Sequence, residues 1–387
     1  MHVLMISMDT SILTQQIGNS RVRHEAYAAQ VGRVSVVICN RRSSDIVDLA
    51  SNELYAYPTQ SRSYLHYLLD GYRIGLRIAA EQPIDLIATQ DPFLTALIGL
   101  TLRRRLHVPL IMQDHSSLVE NRYFARERPR HRALQLLARQ TLPRADAVRV
   151  VNHCEQAACI HLGIDADRVC VIPVAPDIGR FLEAMPEAQL AVWRTRLNLS
   201  TDSPVVLWVG RVVPVKNIRL LLEAFAQLHA ELPEVHLVLA GAVSETHILT
   251  QVESLGLTEV VRLPGAVAHA DLPVLYQIAT VYAHSSNYEG FGLVLTEAAA
   301  SGLPVISTAT DGAREIVHDG ETGLLTPIGD SVALAQALAK MLRDPQRGAM
   351  SEKARQHVQR EFDEARLMAQ WVAMWRAVAT GESPCVS

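Results

Sequence analysis

The sequence has 387 residues, of which 49% are hydrophobic and 20% are charged, and its formal net charge is −4. This composition is typical of a globular protein, and the length predicts two domains because single cores stop growing near about 250–300 residues. A pI near 6.4 and the lack of a recognition motif argue against a nucleic-acid-binding protein. No apolar run approaches the roughly 20 residues of a membrane span, and residues 1–7 are too short for a signal peptide.

Short apolar runs alternate with helical patterns through the first half of the chain, which predicts a parallel sheet with helices on both faces. We expect strands near residues 2–7, 34–39, 84–88, 109–113, 147–151 and 169–172. The strand at 109–113 is followed directly by Asp114 and His115. A polar group at a strand end is a candidate for ligand binding. The more common role of a lone His at such a place is a structural hydrogen bond.

Arginine is unevenly distributed along the chain. Residues 1–180 carry a net charge of +4 and the remainder −8. Clusters occur at Arg103, Arg104 and Arg105, and at Arg122, Arg126, Arg128, Arg130 and Arg132. Solvated helix faces are one interpretation, and a patch for anionic lipid headgroups or an acidic acceptor is the other. The second interpretation predicts peripheral association of the N-terminal half with an anionic membrane surface.

Five cysteines without regular spacing predict a reducing, cytoplasmic location rather than a disulfide framework. His153, Cys154, Cys159 and His161 lie on a predicted helix and lack the spacing of a zinc site. We therefore expect no bound metal and no cofactor.

The second half repeats the alternation after a proline-containing connection at 176–203. Strands are expected near 205–209, 235–240, 259–263, 281–283 and 303–307. The predicted fold class is α/β, with two doubly wound Rossmann-like domains, and ligands bind beyond the carboxyl ends of such strands. Arg211, after Gly210, and Lys216 follow the strand at 205–209 and are candidates for holding a diphosphate, although such residues are more often surface charge.

The stretch from His284 to Gly302 carries most of the chemical information. A buried strand leads into a loop with Glu289, Gly290 and Gly292, and then into an Ala-rich helix that contains Glu297. Glycines at a helix start expose main-chain N–H groups and, with the helix dipole, form an anion site. Carboxylates only accept hydrogen bonds, so hydroxyl groups are their natural partners. A site that binds phosphate beside groups that bind hydroxyls indicates a nucleotide sugar as the ligand. The alternative is a strand-loop-helix unit whose two glutamates are simply solvated.

Several motifs occur in one order across about residues 205–345. They are Gly210-Arg211 with Lys216-Asn217, Pro264-Gly265, Glu289-Gly-Phe-Gly-Leu with Glu297, Gly302-Leu-Pro-Val, Asp311-Gly312 with Glu315, and Gly320-Glu-Thr-Gly323. Together they resemble glycosyltransferase family 4, the retaining, nucleotide-sugar-dependent enzymes of the GT-B fold. The resemblance implies an acceptor-side domain at 1–180 and a nucleotide-sugar domain at 190–362, facing each other across a cleft. It also implies that the terminal helix, 363–379, packs back onto the N-terminal domain.

The resemblance also implies residue roles. Arg211 and Lys216 would contact the donor diphosphate, Glu289 the sugar hydroxyls, Glu297 the ribose and His115 the donor sugar. Further donor-binding positions are Gly210, Gly265, Val267, Gly290, Phe291, Gly292 and Leu293, with the base near 265–267. The chain departs from the family in the loop 9–20, where Gly18 stands alone, and at Val174-Ala175, and both departures weaken the assignment of an acceptor site.

Together with these residues, the resemblance implies a retaining glycosyltransferase of hexosyltransferase type. It would move a sugar from a UDP- or GDP-sugar to a hydroxyl of a glycan or lipid-linked acceptor, in polysaccharide or glycolipid synthesis. Metal-dependent sugar transferases hold a cation with Asp side chains, and here Asp-x-Asp occurs only at Asp165 and Asp167, away from the donor motifs. We therefore expect transfer without a divalent metal. A nucleotide-sugar epimerase and a non-catalytic nucleotide-sugar-binding subunit are the alternatives, and a glycosidase would not need the phosphate site.

Overall fold

The structure, a computed structural model, describes residues 1–14, 20–42, 49–242 and 246–385. It divides into two compact units. Unit 1 comprises Met1–Val174 and the C-terminal segment that begins at Ala365, and unit 2 comprises Ala175–Glu364. No described helix has both the length and the apolar composition needed to cross a membrane.

Unit 1 is built on a sheet of eight described strands. They are β1 His2–Ser7, β2 Arg33–Ile38, β3 Leu49–Ser51, β4 Leu54–Pro58, β5 Leu86–Thr89, β6 Leu110–Asp114, β7 Ala147–Val150 and β8 Val169–Val171. Their order in the sheet is β3-β4-β2-β1-β5-β6-β7-β8, and all neighbours are parallel except β3 and β4.

Unit 2 contains a parallel sheet of six described strands. They are β9 Val205–Val209, β10 His236–Ala240, β11 Val261–Gly265, β12 Val281–His284, β13 Val305–Thr308 and β14 Gly323–Thr326, in the order β11-β10-β9-β12-β13-β14. The chain proceeds outwards from β9 to β11 and then returns to the other side of β9 with β12. The strand order therefore reverses between β9 and β12, the position where doubly wound folds bind their ligands.

Helices connect the strands. In unit 1 they are α1 Ser11–Thr14, α2 Ser20–Val31, α3 Tyr64–Glu81, α4 Leu94–Leu106, α5 Arg122–Glu127, α6 Pro129–Thr141 and α7 His153–His161. In unit 2 they are α8 Gly179–Leu182, α9 Glu187–Arg196, α10 Ile218–Glu231, α11 Thr246–Ser254, α12 Leu272–Ile278, α13 Leu293–Ala300, α14 Asp311–Ile316, α15 Ser331–Arg343 and α16 Arg347–Glu361. The last helix is α17, Glu364–Thr380.

Both faces of the unit 1 sheet are covered, as continuous apolar strands require. Every residue of β1 is buried. Val3 and Met5 belong to one core cluster, which includes Trp371 and Trp375 of α17. Leu4 and Ile6 belong to the cluster on the opposite face. The terminal helix therefore completes the core of unit 1.

Three described strands were not predicted from the sequence: β3, β4 and β14. β4 is the short run Leu-Tyr-Ala-Tyr-Pro, in which the two tyrosines are only partly buried and Pro58 cannot donate to a sheet, and this run was not recognised as a strand. The turn before it has Asn52 and Glu53 at positive φ. β14 has only four residues and begins at Gly323, the last residue of the glycine motif at 320–323.

The expectation that the cysteines form no disulfide is wrong. Cys170 in β8 and Cys385 form a disulfide with their Cα atoms 5.2 Å apart. The contact arises because α17 brings the C-terminal segment back onto unit 1, and the two residues are separated by 215 positions in the sequence. Spacing along the chain does not show such a pairing.

Candidate functional site

The candidate site lies where β9 and β12 run side by side in unit 2. Val206 pairs with Val281 and Leu207 with Tyr282, so the carboxyl ends of the two strands lie next to each other. Gly210 and Arg211 follow β9, and the loop 285–292 follows β12. The predicted diphosphate residues and the predicted carboxylate loop therefore begin at the same edge of the sheet, at its topological switch point.

Hydrogen bonds hold the two loops together. The main-chain N–H of Asn287 donates to the carbonyl of Val215 over 2.8 Å. The hydroxyl of Ser285 donates to the carbonyl of Lys216 over 2.8 Å, and the amide of Asn217 donates to Oδ1 of Asn287 over 3.0 Å. These bonds fix the main chain on which Lys216 is carried.

Glu289 and Lys216 form an ion pair within this site. Their side chains are 22% and 18% exposed, and Nε2 of the buried His284 lies 3.5 Å from Oε2 of Glu289. Burial alone raises the pKa of Glu289, but hydrogen bonding from His284 and the positive charge of Lys216 outweigh it and lower the pKa to about 2. Glu289 is therefore ionised at neutral pH.

The start of α13 supplies main-chain donors next to this pair. Gly292 adopts φ +97° at the N-cap, a conformation that favours glycine, and no described side chain caps the helix there. Gly312 packs against the same loop: its N–H donates to the carbonyl of Glu289 over 2.9 Å. A Cβ atom at Gly312 would lie 2.3 Å from the carbonyl oxygen of Phe291. The helix start is thus a supported anion site.

Glu297 lies in the second turn of α13 and is 8% exposed. The hydroxyl of Tyr276 donates to its Oε2 over 2.9 Å, and Nε2 of His269 lies 3.3 Å from its Oε1. Burial and the charge of Glu297 raise the pKa of Tyr276 well above its ordinary value, so this hydroxyl stays protonated. Both carboxylate oxygens of Glu297 are therefore oriented by neighbouring side chains.

The chain matches two glycosyltransferase family models. The model of group 1 glycosyl transferases matches residues 191–357, and that of the glycosyl transferase 4-like domain matches residues 20–175. D-inositol 3-phosphate glycosyltransferase of Kineococcus radiotolerans is 31% identical over 92% of this chain and 91% of its own length. The chain belongs to the family 4-type glycosyltransferases.

Other glycosyltransferases of this family align over part of their length. D-inositol 3-phosphate glycosyltransferase of Salinispora tropica is 33% identical over 70% of this chain, which spans 59% of that relative. This chain also spans 65% of the length of the D-inositol 3-phosphate glycosyltransferase from Geodermatophilus obscurus.

Solved structures show the same architecture. Sucrose-phosphate synthase from Thermosynechococcus elongatus has a TM-score of 0.84 at 26% identity, covering 98% of this chain and 100% of that one. Anabaena HepE in complex with UDP-glucose has a TM-score of 0.76 at 23% identity, covering 96% and 98%. The predicted GT-B fold class is confirmed.

The remaining donor-side residues that the family resemblance names lie at other strand ends and in the same loop. Gly265 ends β11, with Val267 two residues beyond it, and Arg211 is exposed. The side chain of Phe291 is 3% exposed and packs edge to face on Phe362, with ring centroids 5.2 Å apart. Only the main chain of Phe291 is therefore placed to serve a ligand. Leu293 is 37% exposed at the first position of α13.

His115 belongs to unit 1, directly after β6. Burial and then the positive charge of Arg149 lower its pKa to about 3, so its imidazole is neutral at physiological pH. The preceding Asp114 is 1% exposed and accepts hydrogen bonds from the main-chain N–H groups of Ser116 and Leu118, over 2.9 and 3.5 Å. Asp114 therefore shapes this turn. The contact of His115 with a donor sugar stays a prediction.

The acceptor-side departures lie elsewhere in the chain. Gly18 falls outside the described residues, whereas Asp9 at the start of its loop accepts hydrogen bonds from the hydroxyls of Ser11 and Ser20, over 2.6 and 2.7 Å. Val174 and Ala175 lie where the chain passes from unit 1 to unit 2.

Three residues that orient the site were not predicted: His284, Tyr276 and His269. His284 opens the predicted motif, but its proximity to Glu289 becomes evident only from the fold. Tyr276 and His269 precede Glu297 by 21 and 28 residues, a separation without periodic meaning. Among the described residues, no three His, Cys, Asp or Glu side chains converge as a metal site would require.

Proposed function

We propose that this glycosyltransferase moves a sugar from a nucleotide diphosphate sugar to an acceptor hydroxyl, with retention at the anomeric carbon. The observation that carries the proposal is the Lys216–Glu289 pair at the switch point, beside the uncapped start of α13. It brings a cation, a hydroxyl-binding carboxylate and main-chain N–H donors together, which are the groups that a sugar diphosphate requires. The complex of Anabaena HepE with UDP-glucose, a protein of the same fold, supports a donor of this class.

Lys216 and Glu289 neutralise each other in the structure, so donor binding must exchange their partners. The diphosphate takes the ammonium group of Lys216, and sugar hydroxyls donate to the carboxylate of Glu289. Arg211, after β9, adds a second cation for the phosphates. Glu297, oriented by Tyr276 and His269, accepts hydrogen bonds from the ribose hydroxyls.

In the reaction we favour, the bond between the anomeric carbon and the diphosphate oxygen breaks as the acceptor oxygen attacks from the same face. The leaving diphosphate takes the proton of the acceptor hydroxyl and departs with the electron pair of the broken bond. Lys216, Arg211 and the start of α13 stabilise the charge that develops on it. Because this charge is greatest in the transition state, fixed positive groups there accelerate the reaction, and we propose transfer without a divalent metal.

The donor we propose is a UDP- or GDP-sugar, and the acceptor is a glycan or a lipid-linked acceptor at the cytoplasmic face of a membrane. The arginines of unit 1 support contact with an anionic surface, since each basic group near such a surface contributes about 1 kcal/mol. Arg126, Arg130 and Arg132 are exposed side chains of α5 and α6.

A thermal-shift screen against UDP-, GDP- and ADP-sugars tests the donor class. A ligand at about 100 times its dissociation constant adds about 2.7 kcal/mol to the free energy of unfolding. We expect one base to stabilise the protein and Lys216→Ala to remove most of the effect. No stabilisation by any of the three would refute the donor site.

The stereochemistry and the class of reaction need a second measurement. NMR of the product made with the stabilising donor should show the anomeric configuration of the donor retained. Release of nucleotide with an altered free sugar and no need for an acceptor would indicate an epimerase instead. Binding without any turnover would indicate a non-catalytic subunit.

A further inference from the structure

A groove on unit 1 is formed by helix side chains rather than by strand ends. It has a volume of about 740 Å³ and is lined by side chains of α3, α4 and α6. Its apolar lining comprises Leu68, Leu69, Tyr72, Leu97, Leu100 and Leu137. This volume lies in the range of small-molecule sites, which run from about 300 to 1,000 Å³.

Two of the helices that line the groove, α3 and α4, pack closely. A Cβ atom at Gly71 would lie 2.9 Å from Cδ1 of Ile98, and one at Gly75 would lie 2.6 Å from Cδ1 of Leu102. The two glycines let α4 approach α3, while larger side chains on α3 stand at the edge of the groove. The cavity therefore follows from helix packing.

Apolar side chains continue from the groove onto the surface. Leu69 lines it and is 46% exposed, and Leu65, one turn earlier on α3, is 81% exposed. Leu136, beside the lining residue Leu137 on α6, is 64% exposed. Single exposed leucines are common on proteins, but Leu65 and Leu69 lie one turn apart on α3 beside an apolar cavity, as exposed apolar side chains at binding surfaces do.

One end of the groove is basic. Leu100, Arg104 and Arg144 also line a second, polar cavity of about 430 Å³, together with Arg103 and Arg168. Three arginines in the last turn of α4 interact favourably with the helix dipole, which accounts for their sequence position. It does not account for the apolar groove that leads to them.

The charges at this end are only partly compensated. Asp146 accepts hydrogen bonds from the guanidinium of Arg103 over 2.5 Å and from the N–H of Leu110 over 2.8 Å, so both its oxygens are engaged. Arg144 donates to the main-chain carbonyl of Gln140, which carries no charge. Among the described residues, no carboxylate lies within 4.0 Å of Arg104 or Arg144, which leaves two guanidinium groups for an anion.

An apolar groove that ends at two uncompensated arginines complements an amphiphile with a negative head. We propose that it binds one acyl chain of an anionic membrane lipid, with the lipid phosphate between Arg104 and Arg144. This inference rests on unit 1 alone and holds whichever sugar is transferred. It narrows the membrane contact proposed above to one surface, in which a chain is bound as well as a charge.

The test uses the whole protein and three probes in calorimetry: lysophosphatidylglycerol below its micelle concentration, lysophosphatidylcholine, and glycerol 3-phosphate. We expect only the first to bind tightly, because it alone combines a chain with a net negative phosphate. Shortening its chain by two methylene groups should weaken binding roughly tenfold, since each buried methylene contributes about 0.8 kcal/mol.

Matched variants locate the site. Leu69→Glu and Arg104→Glu should each weaken binding of lysophosphatidylglycerol by roughly tenfold or more. Val22→Glu, which alters a side chain 64% exposed on α2, and Arg219→Glu, which alters a side chain 78% exposed on α10 of unit 2, should leave it unchanged. The chain-length series needs no variant, so it tests the idea even if a substitution disturbs folding.

Several results would overturn the proposal. Equal binding of glycerol 3-phosphate would show a site for free phosphate, and equal binding of lysophosphatidylcholine would show that the arginines play no part. Affinity independent of chain length, or unchanged in Leu69→Glu, would place the ligand elsewhere. A dimer that dissociates in Leu69→Glu would make the groove an interface between copies of this chain. If the parent protein binds the lipid as expected but transfers no sugar from any donor, only the proposed function is refuted.

Discussion

Replacing Glu289 with Gln keeps the shape of the side chain and removes the charge that Lys216 faces. The pKa of Glu289 is lowered from 4.5 to about 2, which corresponds to about 3 kcal/mol in favour of the ionised form. Both side chains are mostly buried, so solvent screens only part of this. We expect Glu289→Gln to lose roughly 1–3 kcal/mol of unfolding free energy and to remain folded.

The variant should separate nucleotide binding from transfer. Lys216 no longer has to leave a carboxylate when a diphosphate arrives, so UDP or the preferred nucleotide should bind at least as tightly as in the parent. Transfer should fall by at least roughly 100-fold, because Gln no longer offers a charged acceptor to the sugar hydroxyls. Calorimetry with the nucleotide and an assay of product formation measure the two quantities on one preparation.

Glu231→Gln is the matched control in unit 2. Glu231 pairs with Arg343 over 3.1 Å, but the two side chains are 57% and 55% exposed. Its loss should lower the free energy of unfolding by less than about 1 kcal/mol and leave transfer unchanged. Full transfer by Glu289→Gln, or loss of nucleotide binding with the fold intact, would refute the assignment of this pair to the donor site.

Further expected outcomes concern the same site. Since the folded-state pKa of Glu289 is depressed, its stabilisation is complete above about pH 4.5 and is lost as the pH falls towards 2; urea unfolding of parent and Glu289→Gln should therefore converge over this window. Lys216→Arg should lower transfer by roughly 10–1,000-fold, because a planar guanidinium does not fit the space of an ammonium; parental rates in the product assay would contradict this. EDTA should leave transfer unchanged. If EDTA abolishes transfer and Mg²⁺ or Mn²⁺ restores it, then Lys216, Arg211 and the start of α13 do not stabilise the leaving diphosphate without a metal. Tyr276→Phe should raise KM for the donor more than it lowers kcat, because Glu297 loses an orienting hydrogen bond over 2.9 Å; an unchanged KM would argue against a ribose role.

The fold was predictable where both faces of a strand are buried. All five residues of β9 are buried, and the apolar run at 205–209 predicted this strand with the observed bounds. The edge region of unit 1 was not predictable in this way. β4 is only five residues long, buries alternate residues with Tyr55 and Tyr57 partly exposed, and ends at a proline, so its sequence carries a weaker strand signal than a fully buried run. Pairing with β2 stabilises it, and that information is not local.

The candidate site was predictable as a set of residues and not as a set of contacts. Motif order placed Lys216 and Glu289 each after a predicted strand, and the strand order of unit 2 makes these two strands neighbours. Their ion pair depends on hydrogen bonds between two loops separated by about 70 residues, including that of Ser285 to the carbonyl of Lys216. The orienting role of His284 likewise follows from burial, which a motif does not record.

Position 216 carries a lysine, whereas nearly all other basic residues of the chain are arginines. Only three of the 36 basic residues are lysines, and the other two, Lys340 and Lys353, lie on α15 and α16. A guanidinium favours a fixed, planar contact with two acceptor atoms, whereas an ammonium is a compact charge that moves between partners. In the structure this ammonium is held by Glu289, and in the proposed reaction it must pass to a diphosphate while the carboxylate passes to the sugar. A group that exchanges partners within one binding event is better served by the compact cation, which explains why an arginine-rich chain places a lysine here.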